Sequence, residues 1–334
     1  MINIILTLDY EIYGSGSGSV LNQMLYPTNN LLKICDNFGI PMNIMLEVTE
    51  YQKFKEFDKE LSKDLGYSPS GLIKSQIFSA YNRGHDVQLH THPQWIDAHY
   101  SDKKWILKEP QRSIIDLSDK EAIDFLDNSK SELELLMRQI DPNYNCTAMR
   151  LTNLPWVEAP KKAIQAMISS NIKIHSFATS NSLKNNERGY WSLNSKNGIY
   201  EIPVFSVNMV KYKSYTFRRI LAALKMFTMG RASVSNSYHI KPSKTDLIDD
   251  FFKSEYPVKW DFSKQSSNEM IKFLEVAIEK FNYTDLEIPL VMVGHSKDFF
   301  YPDEFFTFLS MVKNNKDYKD IIKFTTFTNF MKEI

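Results

Sequence analysis

The chain has 334 residues, of which 43% are apolar and 24% are charged, so it can bury a large core and is not expected to be disordered. Its 40 Lys and Arg residues balance its 40 Asp and Glu residues, which argues against a nucleic-acid partner because no overall positive field attracts phosphate. Cys35 and Cys146 are too few for a disulfide framework and are predicted to be buried thiols. Without a signal-peptide pattern or an apolar window of membrane-spanning length, the sequence predicts a cytoplasmic protein.

Apolar runs of strand length alternate with segments of helical periodicity along the chain. Strands are predicted at residues 2–8, 42–48, 87–90, 147–151, 173–177, 201–207, 287–293 and 321–325. Helices are predicted at residues 28–38, 50–64, 71–82, 118–140, 159–170, 217–228, 267–281 and 303–313. The glycine- and serine-rich run at 14–19 lacks the Lys-Ser/Thr of a phosphate-binding loop and is predicted to be a flexible loop. The alternation predicts one α/β domain over residues 1–334, with a parallel sheet closed into a barrel.

Chemically active residue types follow the predicted strands, at the end where barrel enzymes place their active sites. Carboxylates, imidazoles and a guanidinium that converge from separate strands are typical of a metal-assisted hydrolase. The residues are Asp9 and Glu11 after the first strand, His90 and His92 after the third, Arg150 after the fourth, His175 after the fifth and His295 after the seventh. Taken singly, His99, His175 and His239 are interpreted as hydrogen-bonding residues, and Arg150 fits a structural ion pair equally well.

The spacing of His90 and His92 predicts a metal site. Side chains at positions i and i+2 of an extended chain point to the same side, about 6.5 to 7 Å apart at Cα, which is within reach of one ion. His85 lies five positions before His90, in a turn, and is left out of the site. Asp9 and Glu11 also have the i, i+2 relation, so one carboxylate can complete the metal shell while the other remains a base. A solvated strand end is the structural alternative for this carboxylate pair.

Four short segments stand in a fixed order at these strand ends: Thr7-Leu8-Asp9, the stretch GHDVQLHTHP at 84–93, Arg150, and Gly294-His295. Their order and spacing resemble the motif series of the polysaccharide deacetylases, the NodB-homology group also called carbohydrate esterase family four. Residues 200–203 and 294–299 are similar to segments of the intracellular branch associated with surface-polysaccharide biosynthesis. The resemblance spans nearly the whole chain and implies a distorted, NodB-like (β/α) barrel with about seven strands.

The resemblance also implies a role for each candidate residue. Asp9 would be the general base that takes a proton from the attacking water, and Arg150 would orient it. His295 would be the general acid that protonates the leaving amine. The implied metal ligands are Glu11, His90 and His92.

The chain departs from the family pattern in three places. Tyr10 stands where the family has a second Asp, so the next carboxylate along the chain takes the ligand position. His92 follows His90 by two residues, whereas the usual step between the two histidine ligands is four. His175 replaces the Asp of the expected Asp-Trp motif, which leaves Arg150 without its usual partner.

With these roles, the resemblance implies a metal-dependent hydrolase of C–N bonds. It would remove acetyl from an N-acetylated sugar, nucleotide-linked or lipid-linked, during polysaccharide or lipopolysaccharide biosynthesis. The divalent metal is expected to be zinc, although the same ligands accept cobalt, nickel or iron. Two alternatives stay open: a related barrel amidohydrolase that cleaves a non-sugar C–N bond, and a non-catalytic carbohydrate-binding relative.

The segment 211–231 bears on the form of the substrate. It carries six basic residues and no acidic one, with apolar residues at helical spacing. This pattern predicts peripheral contact with anionic lipid at the inner membrane face, or contact with the pyrophosphate of a linked sugar. The alternative is a core-packing helix with a solvated basic face.

Overall fold

Parallel strands alternate with helices in the computed structural model, which describes residues 1–151, 161–176, 192–194, 198–210, 255–281 and 286–333. The strands are β1 (Ile2–Tyr10), β2 (Asn43–Glu47), β3 (Asp86–Thr91), β4 (His99–Ser101), β5 (Lys104–Ile106), β6 (Ala148–Leu151), β7 (Ile174–His175), β8 (Ser192–Asn194), β9 (Ile199–Glu201), β10 (Ser206–Val210), β11 (Glu255–Lys259), β12 (Ile288–His295) and β13 (Ile322–Thr325). The helices are α1 (Tyr26–Asn37), α2 (Val48–Glu56), α3 (Asp58–Leu65), α4 (Pro69–Asn82), α5 (Asp119–Met137), α6 (Lys161–Ser169), α7 (Ser267–Phe281), α8 (Pro302–Asn314) and α9 (Phe327–Glu333).

The main sheet has the strand order β12-β1-β2-β3-β6-β7-β9-β8, and β13 also pairs with β1. Only β8 is antiparallel to its neighbour among the described strands of this sheet. One edge of β1 is shared, since β13 pairs with residues 2–5 and β2 with residues 7–10. Backbone bridges from Val204 to Val291 and from Asp261 to Val293 connect later segments back to β12. The sheet therefore curls into a distorted (β/α) barrel, which confirms the predicted fold class.

The sequence explains where these elements begin and end. All nine residues of β1 are buried, as expected for a continuous apolar run that is covered on both faces. The predicted capping box at the start of α5 is present, with Ser118 and Glu121 bonded reciprocally to each other's backbone N–H groups. Glu47 ends β2 and its side chain accepts a hydrogen bond from the Glu50 N–H, so that α2 starts directly at the strand end.

Two expectations need correction. The strand predicted at 201–207 is broken into β9 and β10, because Pro203 has no N–H to donate and the chain leaves β7 there to reach β12. The run at 14–19, predicted to be flexible, is anchored: the Gly14 carbonyl accepts a 2.9 Å hydrogen bond from Gln94, and Gly16 lies against Trp105. Both cysteines are free and buried, as predicted.

The predicted helix at 217–228 and the basic segment 211–231 lie outside the described residues. Within the described ranges, no helix combines the length and the apolarity needed to cross a bilayer.

Gly294 lies in β12 directly before His295 and is packed against the Phe262 ring. A Cβ atom at position 294 would lie 2.0 Å from Cε2 of this ring and 2.2 Å from its Cζ. Phe262 is buried and packs against Phe305 at a ring-centroid distance of 4.9 Å. A side chain at position 294 would therefore displace an aromatic ring that supports the strand end.

We expect Gly294→Ala to lower the free energy of unfolding by about 1–3 kcal/mol, because the packed ring leaves no room for a methyl group. Equilibrium unfolding in urea measures the change. Gly14→Ala is the control, since its nearest neighbour would be the flexible Gln94 amide at 3.3 Å. The cost should shrink in a Phe262→Leu background, and an equal loss in both backgrounds would contradict the steric explanation.

Candidate metal centre

The strands of the barrel bring the predicted residues together at their carboxyl ends. Asp9 on β1 is in register with His295 on β12. His90 on β3 lies between Glu47 on β2 and Arg150 on β6. This edge of the sheet is where parallel barrels collect catalytic groups.

Alternation along β1 separates three consecutive residues. Asp9 and Glu11 point toward the histidines, whereas Tyr10 points the other way and donates a 2.6 Å hydrogen bond to Gln76 on α4. Tyr10 is fully buried on that side. The residue in the position of the family's second Asp therefore faces away from the site, and Glu11 is the carboxylate that reaches the imidazoles.

Glu11, His90 and His92 form a compact group of three potential metal ligands. Oε2 of Glu11 lies 2.9 Å from Nε2 of His92 and 3.7 Å from Nε2 of His90. The two Nε2 atoms are 3.1 Å apart, and the three side chains are buried. Neighbouring ligand atoms around a tetrahedral ion with bonds of 2.0–2.1 Å lie about 3.3 Å apart, so this triangle has the right size for one ion.

The protonation state of His90 also fits a metal ligand. Its Nδ1 donates a 2.8 Å hydrogen bond to the Arg150 carbonyl, so the lone pair of the neutral ring is on Nε2, the atom that faces Glu11 and His92. Burial is the main cause that lowers the pKa of His90 to about 4, which keeps the ring neutral near pH 7. A backbone acceptor behind a ligating imidazole is the usual way in which ring orientation and tautomer are set.

Glu11 and His92 each favour the charged form of the other. Burial acts to raise the pKa of Glu11, but the Lys297 ammonium and the imidazoles outweigh it, so the pKa lies well below its usual value. Burial acts to lower the pKa of His92. The neighbouring Glu11 carboxylate outweighs burial, so the pKa of His92 lies above its usual value. The Nδ1 atom of His92 is buried without a hydrogen-bond partner among the described residues. An ionised carboxylate beside two imidazoles is a donor set that suits zinc and its neighbours.

Asp9 lies next to this group and is bonded on both of its oxygens. Arg150 Nη1 forms an ion pair with Oδ1, and His295 Nε2 lies 3.4 Å from Oδ2. Burial acts to raise the pKa of Asp9, but the Arg150 guanidinium and the nearby imidazoles lower it below the usual value. An ionised carboxylate that is oriented by a guanidinium on one oxygen and faces an imidazole with the other is suited to proton transfer.

Ser176 takes the place of the Asp partner that Arg150 lacks. The Ser176 carbonyl accepts a 2.7 Å hydrogen bond from Arg150 Nε, and its hydroxyl accepts one of 3.4 Å from Nη2. Thr7 supplies a further acceptor at 2.9 Å. His175 turns instead to Glu201 on the neighbouring strand, with Nδ1 2.5 Å from the carboxylate. Arg150 therefore keeps a fixed orientation through a backbone carbonyl and two hydroxyl groups.

Glu47 and Glu50 form a layer behind the metal ligands that sequence reasoning missed. Glu47 accepts a 2.7 Å hydrogen bond from the His92 N–H and another from the Thr49 hydroxyl, and Glu50 accepts one of 3.0 Å from the Ile12 N–H. Burial raises the pKa of Glu47 to about 7. The available sequence signal was their position, because two acidic residues within four positions at the end of a predicted strand resemble Asp9 and Glu11 at the end of β1.

His85 lies outside the site, as predicted. Its Nδ1 accepts a hydrogen bond from the Met42 N–H, and its Nε2 lies 3.0 Å from the Asp36 carboxylate at the opposite end of β3. His99 is exposed in β4, and His239 is outside the described residues.

No family model and no curated protein matches this chain. Among solved structures, a putative polysaccharide deacetylase from Mycobacterium smegmatis is similar, with a TM-score of 0.52 and 11% identity over the full length of this chain and 90% of that protein. A 4-alpha-glucanotransferase from Thermococcus litoralis is also similar, with a TM-score of 0.53 and 11% identity, and this chain spans 40% of its length. At such low identity, these similarities show the barrel fold and nothing more specific.

We expect the purified protein to bind one divalent ion per chain, and His90→Ala or His92→Ala to lose it, because each change removes a ligand atom from the group of three. Elemental analysis after dialysis measures the bound metal. His99→Ala is the matched control, since it removes an exposed imidazole that follows His90 and His92 closely in the sequence but lies outside the ligand group. Retention of the ion by His92→Ala would contradict the assignment.

Proposed function

We propose that this chain is a metal-dependent N-deacetylase that removes the acetyl group from an N-acetylated sugar. The observation that carries the proposal is the side-by-side arrangement of two groups at the barrel edge. One is the set of possible metal ligands Glu11, His90 and His92, and the other is Asp9 between Arg150 and His295. Amide hydrolysis by a metal-dependent enzyme requires a metal site with a positioned base and a positioned acid beside it.

A bound divalent ion would supply Lewis acidity, which polarises an acetamide carbonyl and acidifies water. Asp9 is the base that accepts a proton from the attacking water, and its ion pair with Arg150 keeps the carboxylate ionised and aimed. His295 lies on the other side of Asp9 and is the group that donates a proton to the leaving amine nitrogen. From adjacent strands, the base thus acts on the water that attacks the carbonyl carbon, and the acid protonates the nitrogen that leaves when the C–N bond breaks.

The sugar substrate and the setting are the finer parts of the proposal. Support comes from the resemblance of the strand-end motifs to the polysaccharide deacetylases and from the barrel shared with a protein described as a putative polysaccharide deacetylase. We infer zinc as the ion, and a nucleotide-linked or lipid-linked N-acetyl sugar of cytoplasmic polysaccharide assembly as the substrate. The basic segment at 211–231 would contact the pyrophosphate or the membrane surface, and it stays a prediction because it is outside the described residues.

We expect zinc-loaded protein to release acetate from at least one member of a panel of nucleotide-linked and lipid-linked N-acetyl sugars. Asp9→Asn and His295→Ala should each lower the rate by about 10²- to 10⁴-fold, because each removes one proton-transfer group. A coupled assay for acetate measures the rate. The metal content of both variants should remain that of the wild type, since neither residue belongs to the ligand set.

Tyr10→Phe is the matched control, because Tyr10 lies between Asp9 and Glu11 in sequence but faces Gln76. It should lose a hydrogen bond and keep its turnover.

Hydrolysis of a non-sugar amide with no acetate from any sugar would favour the amidohydrolase alternative. Sugar binding without turnover in metal-loaded protein would favour the carbohydrate-binding alternative.

A further inference from the structure

A buried ion pair between Glu11 and Lys297 stands beside the pair of Asp9 and His295. Asp9 and His295 are the last register partners of β1 and β12, and two residues beyond each of them, past the strand ends, Glu11 forms an ion pair with Lys297. Lys297 is 6% exposed and Glu11 is 4% exposed. The segment His295-Ser296-Lys297 thus runs beside Asp9-Tyr10-Glu11 and contributes one nitrogen group to each of its two carboxylates.

The two oxygens of the Glu11 carboxylate have separate partners. Oε1 accepts a 2.6 Å hydrogen bond from Lys297 Nζ, whereas Oε2 faces the imidazoles of His92 and His90. Lys297 donates a second hydrogen bond, of 3.2 Å, to the carbonyl of Ile12, the residue after Glu11. The ammonium therefore holds both the side chain and the backbone of the segment that carries the ligand.

We propose that Lys297 is a positioning residue of the metal centre, which restricts Glu11 to one donor oxygen and so leaves a coordination position open. This inference rests on the proposed function, since it concerns the same metal site. A carboxylate can bind an ion through one oxygen or through both, and an oxygen engaged by a buried ammonium is withheld from the ion. Catalytic zinc sites have three protein ligands and one open position, which a second Glu11 oxygen would fill.

The same contact adjusts the electronic character of the ligand. A hydrogen bond from a cation draws electron density away from the Glu11 carboxylate and makes it a weaker donor. An ion held by two neutral imidazoles and a partly neutralised carboxylate retains more of its Lewis acidity. A purely structural ion pair would stabilise the fold without altering either the number of ligand atoms or their donor strength.

The test uses the full chain loaded with Co²⁺ for absorption spectra and with Zn²⁺ for affinity. Lys297→Met keeps the length of the side chain without its charge, and Lys297→Arg keeps the charge. Lys264→Met is the control, because Lys264 lies at the same edge but pairs with Asp298 at 3.1 Å. A chromophoric chelator in competition gives the dissociation constant for Zn²⁺.

In Lys297→Met we expect weaker visible absorption of bound Co²⁺, because a second Glu11 oxygen raises the coordination number. The dissociation constant for Zn²⁺ should fall by about 10-fold, because the freed Glu11 carboxylate then offers a second oxygen and is a stronger donor. Lys297→Arg should recover most of both changes, and Lys264→Met should match the wild type. If Lys297→Met does not fold, Lys297→Leu carries the same expectation, since it too lacks a donor for Glu11.

A Lys297→Met protein with the wild-type cobalt spectrum overturns the inference and leaves the proposed function intact. Weaker Zn²⁺ binding in Lys297→Met also overturns it, because the lysine would then neither withhold an oxygen from the ion nor weaken the Glu11 donor. A wild-type protein that binds neither Zn²⁺ nor Co²⁺ overturns the proposed function itself, and the two failures are therefore distinguishable.

Discussion

The parallel pairing of β1 with β12 is the constraint on which the rest of the site depends. Because side chains alternate along an extended strand, Asp9 and Glu11 face one side and Tyr10 the other. Register then sets His295 opposite Asp9, and just past the two strand ends Lys297 forms an ion pair with Glu11. A shift of one residue in this pairing would turn every one of these groups to the wrong face.

Buried charge is the second consequence of that pairing. Asp9, Glu11, Arg150 and Lys297 are nearly excluded from solvent, and each carboxylate is matched by a cation. Removing one partner of such a buried pair costs about 3–5 kcal/mol, because the remaining charge has no compensation. The same ion pairs offset the cost of burying these charges and fix the positions of the side chains. Fold stability and site geometry therefore depend on the same contacts.

The departures from the deacetylase motif pattern form a consistent set. Because His92 follows His90 by only two positions, the two Nε2 atoms approach to 3.1 Å at the end of β3. Glu11 lies one position beyond the usual ligand and reaches both rings. Ser176 holds Arg150 where an Asp is expected. Each change is accommodated by a neighbouring group, which leaves a ligand triangle of the size that one metal ion requires.

The irregular part of the fold shows why strand prediction has limits. Residues 201–207 have the composition of one strand, but Pro203 lacks a donor and the chain crosses there from β7 to β12. The local sequence on each side of the proline predicts a strand. Which neighbouring strand each half joins depends on the closure of the sheet, and no local pattern contains that information.

The sequence by itself determined the alternation of strands and helices and the two i, i+2 pairs, at 9 and 11 and at 90 and 92. It also excluded His85 from the site. These features follow from strand periodicity, which is a local property of the chain. Only the tertiary structure decided that Lys297 holds Glu11, that Ser176 holds Arg150, and that Glu47 and Glu50 stand behind the ligands. Those contacts join residues far apart in sequence, at the ends of neighbouring strands whose relative positions depend on register. Register is set by the packing of the whole sheet, so these partners could not be read from any single segment.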